Sequence, residues 1–510
     1  MKRPQVKYSI FARKDRKIAL YIFIAFLAVS FGGLYGLFLP ILPFSIFKFM
    51  LLPILVFVLL GIWAMPERDT CSENNIKIGL YIFLGFWMVW PPYLSLIKLP
   101  GDPWLSPQRI IIYGLVFLIL IMFSVSRNTK HILRENYREN RRLFIALFVL
   151  IFASFMSIFF SPSIESSTSI FIKYVVFNYL VFFLAATLVS DEKTLKIIFL
   201  ICIFSALILA VMALYENTLS QTIWSYHLPR ETFGFSEDME KILSPRFRDG
   251  AYRVKGSSLT SLEYAELLSY ILPMCLYYLI DNKSKLMKPI AVMTILVIFY
   301  AIIVSRSRLG LVGAIVSISN YSFLVSLRSQ RIHKKSLVGP ALLTLYPAAL
   351  VTVGGLITFS TTLSNMILGG GGQEASTNAR YDMWAMGLPL IAKQPIFGYG
   401  VGKGARALNY RTPSGDLTID SYILGMFLDT GLVGGFAFLI FFTLGIIKAS
   451  RSYTHAPDKD GYSKMGAALA STLLAFLFIK IVLSQASNHT LVYLLIGVVA
   501  HYRLQLNSKE

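Results

Sequence analysis

The sequence predicts an all-α fold: a polytopic integral membrane protein of about fourteen transmembrane helices with two long periplasmic loops. Three observations carry that expectation. Apolar runs of about 20 residues, the length that crosses a hydrocarbon slab roughly 30 Å thick, recur along nearly all 510 residues. Hydrophobic residues make up 55% of the chain and charged residues only 15%, whereas a soluble domain carries about 25% charge. The basic residues fall in the connections between apolar runs, so the net charge of +21 belongs to loops and not to the groove-sized basic surface that a nucleic acid needs.

Apolar windows place helices at 18–39, 42–65, 78–98, 109–126, 142–161, 168–190, 195–215, 261–280, 288–305, 308–327, 337–359, 421–447, 466–485 and 489–506. Lys2, Arg3, Lys7, Arg13, Lys14, Arg16 and Lys17 precede the first of these. A second apolar run follows at once without a small-residue cleavage signature, so the first reads as an uncleaved helix. Counting from a cytoplasmic N-terminus puts 127–141, 281–288, 328–336 and 448–465 inside, and these are the basic loops. The short outer connections 161–167 and 485–489 contain no Lys or Arg, as the positive-inside rule requires. An even number of crossings returns the C-terminus to the cytoplasm and makes 1–510 a single membrane domain.

The same count leaves two polar segments outside, 216–260 and 360–420. Loops of this length in a compact bundle usually carry function, and both are rich in aromatic residues that can bury apolar surface or sit at the headgroup level. In the second, a hinge from Gly369 to Gly372 precedes a short helix, 378–393, which Thr377 could cap and which ends before Pro395. None of Cys71, Cys202 and Cys275 lies in an outer segment, so no disulfide framework is expected. The six histidines form no close pair, and neither a metal site nor a Ser-His-Asp arrangement is read.

Basic residues in the outer segments run against the charge rule and therefore stand out. Arg253 and Lys255 precede the helix at 261, Arg306 and Arg308 sit in the turn before the helix at 308, Arg380 opens the loop helix, and Lys403, Arg406 and Arg411 follow a Gly-rich stretch. Guanidinium groups match phosphate oxygens in pairs and stay charged, so such a set can hold a diphosphate; the bland alternative is that each snorkels to ordinary lipid headgroups. The stretch from Gln394 to Gly402 reads as a structural turn or as a place of close backbone approach to a ligand. Asp420 lies at the mouth of the helix at 421, where a carboxylate can take a proton from an attacking hydroxyl or cap the helix. Glu263 and Glu266 share a helix face, and Lys173 and Lys480 are further charges in apolar runs.

Taken in order, these pieces resemble the superfamily of bacterial O-antigen ligases and O-antigen or exopolysaccharide polymerases, over roughly residues 250–435. The resemblance is carried by Arg253 with Gly256, Ser305-Arg306-Ser307-Arg308, Arg380-Tyr381-Asp382-Met383-Trp384, Pro395 to Gly402, and Asp420-Ser421-Tyr422 leading to Asp429-Thr430-Gly431-Leu432-Val433-Gly434. It implies a metal-independent glycosyltransferase of the bacterial inner membrane that needs no cofactor. Its expected substrate is an undecaprenyl-diphosphate-linked oligosaccharide in the lipid bilayer, and its expected partner a chain-length regulator. Ligases usually begin the last motif with His-Asn; Asp420 and Ser421 at those positions tilt the expectation toward a polymerase. Under that reading Asp420 is the base, Arg306 and Arg380 stabilise the leaving diphosphate, and Arg253, Arg308, Arg406, Arg411, Trp384 and Tyr399 bind diphosphate or glycan. A transporter would instead show two halves of matching hydropathy, a repeat this sequence does not display.

Overall fold

The computed structural model describes residues 73–94, 97–98, 104–227, 237–248, 250–332, 374–412, 415–455, 457 and 460–502, with short pieces between 22 and 67 and between 337 and 344. The helices expected at 18–39, 42–65 and 337–359 lie wholly or largely outside these residues. The described chain is all-α apart from two ladders of two residues per strand, Ile97–Lys98 with Trp104–Leu105 and Phe247–Arg248 with Ala251–Tyr252.

Among the described residues, eight helices are long and apolar enough to cross a membrane: Pro107–Val125, Arg141–Phe160, Ile164–Leu188, Glu192–Leu219, Met287–Val304, Arg308–Ile332, Tyr422–His455 and Gly461–Lys480. The chain is therefore a multi-pass membrane protein. The helices named below are α1 (Glu73–Val89), α2 (Pro107–Val125), α3 (Arg127–Glu139), α4 (Arg141–Ser157), α5 (Ile164–Leu188), α6 (Glu192–Leu219), α7 (Ser261–Leu276), α8 (Met287–Val304), α9 (Arg308–Ile332), α10 (Glu374–Lys393), α11 (Gly404–Leu408), α12 (Tyr422–His455), α13 (Gly461–Lys480) and α14 (His489–Val499).

Three elements differ from expectation, each for a local reason. The helix expected over 78–98 stops at Val89, because Pro91 and Pro92 offer no backbone N–H; Trp90 Nε1 then donates to Leu94 O at 2.9 Å. The basic segment 127–141 is not a loop but helix α3, capped where Ser126 Oγ accepts the Thr129 N–H at 3.2 Å. Its buried Asn136 donates to Ala186 O at 2.7 Å, while Arg127, Lys130, Arg134 and Arg138 are exposed. The helix expected at 378–393 begins at Glu374, so Thr377 lies inside its first turn and does not cap it.

Rings of Phe144, Phe182, Phe441 and Tyr493 mesh edge-to-face and stacked at 5.6–5.8 Å between α4, α5, α12 and α14. Close approach of helices elsewhere relies on small residues. A Cβ added at Gly310 of α9 would stand 2.4 Å from Ala265 Cβ of α7, and one at Gly313 would stand 2.8 Å from Ser269 Oγ. The outer faces are apolar as well: Phe152, Phe204, Val211 and Leu296 are exposed on their helices, the surface that lipid and not water requires.

The two ends of the bundle differ in chemistry. At one, Asp281 just beyond α7 accepts hydrogen bonds from Tyr321 (2.5 Å) and Tyr453 (3.1 Å), and the Arg328 guanidinium lies 5.1 Å from the centre of the Tyr453 ring. Lys448 bonds Asn140 at that end, so the connections rich in Lys and Arg gather there. At the other end stand 253–260, 305–308, 420–422 and 480–489.

Candidate active site

The first component is the segment entering α7. Glu216, in the last turn of α6 and fully buried, accepts the Tyr252 hydroxyl at 2.6 Å, the Lys255 N–H at 3.2 Å and the Gly256 N–H at 2.7 Å. Gly256 has φ of +55°, and a Cβ there would stand 3.0 Å from the Tyr264 ring, so the turn requires glycine. One carboxylate thus organises the backbone on both sides of Arg253, whose Nε donates to Ser305 O at 3.3 Å. Its Nη2 is buried without a hydrogen-bond partner among the described residues. Burial, with Arg248 and Arg246 adding repulsion, lowers the Arg253 pKa from its ordinary value.

The second component is the turn from α8 into α9. Ser305 Oγ donates to Ile302 O at 2.6 Å and accepts the Ser307 N–H at 3.3 Å, which folds the turn tightly. Arg306 takes a left-handed backbone (φ +52°) and is exposed at its tip, whereas Arg308 is half-buried. The Arg253 Nε bond to Ser305 O ties this turn, and with it Arg306 and Arg308, to the segment that enters α7.

Arg380 on α10 supplies the third component. Its Nε lies 3.6 Å from Asp420 Oδ2. Asp420 is half-buried, and burial raises its pKa while Arg380 opposes the rise. Arg253 and Arg308 thus stand on two joined segments, and Arg380 pairs with the one carboxylate of this set, Asp420.

The Gly-rich stretch from Pro395 to Gly402 is a turn wedged into a break in α12. At Gly431 the helix backbone leaves helical geometry (φ +70°, ψ −169°). The freed groups are taken up by the turn: Tyr399 N–H donates to Leu428 O (2.8 Å), Gly400 N–H to Asp429 O (3.0 Å), and Leu432 N–H to Pro395 O (2.6 Å). The buried Asp429 side chain accepts the Gly402 and Gly404 N–H groups at 2.7 and 2.5 Å. Together these bonds anchor the outer segment that bears Arg380 to the helix headed by Asp420.

The remaining expected residues are distributed around this frame. Trp384 and Tyr399 pack against a small core of Met383, Ile391, Leu408, Leu424 and Leu428, and Tyr399 Oη donates to Leu390 O at 3.0 Å. Arg411 closes its own loop on Gly415 O at 2.8 Å, and Arg406 is exposed on α11. Lys403 donates to Ser166 Oγ at 2.6 Å. Lys173 is exposed on α5. Arg248 and Glu216 are additions to the residues singled out from sequence. Arg248 could have been found by the same argument from outer charge, while Glu216 carries no sequence signal beyond being an acid near the end of an apolar run. Among the described residues, no group of three or more His, Cys, Asp or Glu side chains is placed to hold a metal ion.

The fold defines a multi-pass membrane protein, with an Arg380–Asp420 pair at one end of its bundle. The family model described as O-Antigen ligase matches residues 293–439, which include Arg306, Arg308, Arg380, Asp420 and Gly431. The match supports an enzyme that handles polysaccharide and its lipid-linked precursors. No curated protein matches the chain.

Proposed function

We propose that the chain transfers a glycan from undecaprenyl diphosphate to an acceptor hydroxyl at the periplasmic face of the bacterial inner membrane. The observation that carries this reading is the pairing of Asp420 with Arg380 at 3.6 Å, supported by the Arg253 bond to the turn that bears Arg306 and Arg308. In the reaction the bond between the anomeric carbon and the diphosphate oxygen breaks, and its electron pair leaves with the diphosphate. The acceptor oxygen bonds to that carbon as its proton passes to Asp420. Arg253, Arg308 and Arg380, with Arg306 at the mouth, neutralise the charge that develops on the departing group, the role fixed donors fill most effectively where water is scarce. In-line attack inverts the anomeric centre.

The O-Antigen ligase description favours a core saccharide on lipid A as acceptor. Asp420-Ser421 in the place where ligases usually carry His-Asn favours a second reading, in which the acceptor is the terminal sugar of another lipid-linked repeat and the product is a longer polymer. The site lies outside and both termini lie inside under this proposal, with about fourteen crossings in all.

The test is the glycan phenotype of a deletion strain, with lipid-linked intermediates and finished polysaccharide analysed together. Polymer retained on its lipid carrier and absent from lipid A identifies a ligase. Accumulation of single lipid-linked repeats identifies a polymerase. An unchanged glycan profile would overturn both.

A further inference from the structure

Next to Tyr422, at the same end of the bundle as Asp420, lies a group of buried ionisable side chains that the proposed chemistry leaves unused. Lys480, the last residue of α13, is fully buried, and its Nζ stands 2.6 Å from Oε1 of the equally buried Glu266 on α7. Glu266 also accepts the Tyr270 hydroxyl at 2.5 Å and Asn488 Nδ2 at 2.8 Å. One turn earlier, Glu263 accepts the Ser487 hydroxyl on Oε1, and its Oε2 is buried with no hydrogen-bond partner among the described residues.

The same ammonium group lies 5.9 Å from the centre of the Tyr422 ring and also donates to Gln485 O. His489 meets Tyr422 edge-on at 4.4 Å, and both of its ring nitrogens are buried without a hydrogen-bond partner among the described residues.

A buried ion pair adds little stability over a well-packed apolar pair, and its best-attested use is to specify one arrangement among several. Ionisable side chains inside a membrane domain are likewise expensive and tend to serve function. Here the pair joins two helix heads. Helix α7 is entered from the segment bearing Arg253, and α12 from Asp420 and Ser421. Lys480 holds the first through Glu266 and the second through the ring of Tyr422, two residues beyond Asp420.

We propose that Lys480, together with Glu266 and His489, positions Asp420 against Arg380 by fixing Tyr422 relative to the head of α7. Lys480 is thus a positioning residue for the transferase reaction, and this inference rests on that reading.

The test uses the full chain in proteoliposomes with an undecaprenyl-diphosphate-linked oligosaccharide as donor. The variant Lys480→Met/Glu266→Gln removes both charges of the pair at once, so neither is left buried without the other. It is expected to lower kcat about 10- to 100-fold, as misplacement of a reacting group does, with donor KM and thermal midpoint little changed. In an Asp420→Asn background the same pair of substitutions is expected to cost nothing further, because residues that act through one another are non-additive. His489→Leu should repeat the pattern. An equal fall in both backgrounds, or no fall in either, overturns the positioning role while wild-type turnover leaves the transferase reading standing. Failure of the wild type to use the donor overturns that reading and this inference together.

Discussion

At Asp420 two influences oppose each other. Burial favours the protonated acid and the guanidinium of Arg380 favours the carboxylate, with burial prevailing. A base must be ionised to take a proton, so activity should rise with pH through a pKa above the usual aspartate range. Arg380→Gln removes the influence that lowers that pKa, and the acid limb of the pH–rate profile should therefore move to higher pH. It should also lower kcat by about a hundredfold or more, the typical cost of deleting one donor that stabilises developing charge. Residual turnover measured across pH checks both; an unmoved limb would uncouple Asp420 from Arg380. Glu216 acts at the same scale. Glu216→Ala strips the partner from three donors, one hydroxyl and two backbone N–H groups, each costing about 1–3 kcal/mol if left buried and unpaired. A lowered thermal midpoint and a raised donor KM are expected, and Glu216→Gln, which keeps an accepting oxygen, should lose less. The arginines were legible in the sequence because charge on the outer side violates a strong rule. Glu216 was not, since its partners lie 36–40 residues away and only the folded chain brings them to it.

Among the elements, α12 shows most clearly how one glycine can decide an architecture. A Cβ at Gly431 would stand 2.3 Å from Ile396 O and 2.4 Å from Ile396 C, against rigid backbone and at a positive φ. Gly431→Ala is thus expected to cost more than about 2 kcal/mol and to abolish transfer by expelling the 395–402 turn. Gly425 lies in the same helix with only Ile419 Cδ1 at 3.8 Å, so Gly425→Ala should be neutral or stabilise by up to about 1 kcal/mol. Thermal unfolding in detergent distinguishes the two, and similar losses would show that the wedge is dispensable. The motif from Asp429 to Gly434 and the Gly-rich stretch were both visible as glycine patterns. That each exists to satisfy the other's backbone was not, because hydrogen bonding across a helix break leaves no periodicity to read.

For the whole molecule, orientation is the quantity to test. Under the proposed orientation, with the basic connections inside and Asp420 outside, Asp416→Cys in a Cys71→Ser background should react with a membrane-impermeant maleimide in intact cells whose outer membrane has been permeabilised. Lys285→Cys in the same background should react only after the inner membrane is opened. The remaining native Cys202 and Cys275 are buried and should contribute little background. The reverse pattern would place the site in the cytoplasm and sink the periplasmic transferase. Lys448 pairs with Asn140 and Arg328 with Asp281, so these connections share an end of the bundle, and the labelling decides which side that end faces.

The membrane environment, the approximate place of most of the described helices and the arginines outside apolar runs could be read from sequence alone. These follow from burial and charge, which each residue carries locally whatever its neighbours. Only the folded chain shows that Arg380 pairs with Asp420, that the glycine turn plugs the break at Gly431, that 127–139 is helical, and that Lys480 bridges Glu266 to Tyr422. Each is a pairing between distant positions, set by packing and by the need of every buried polar group for a partner.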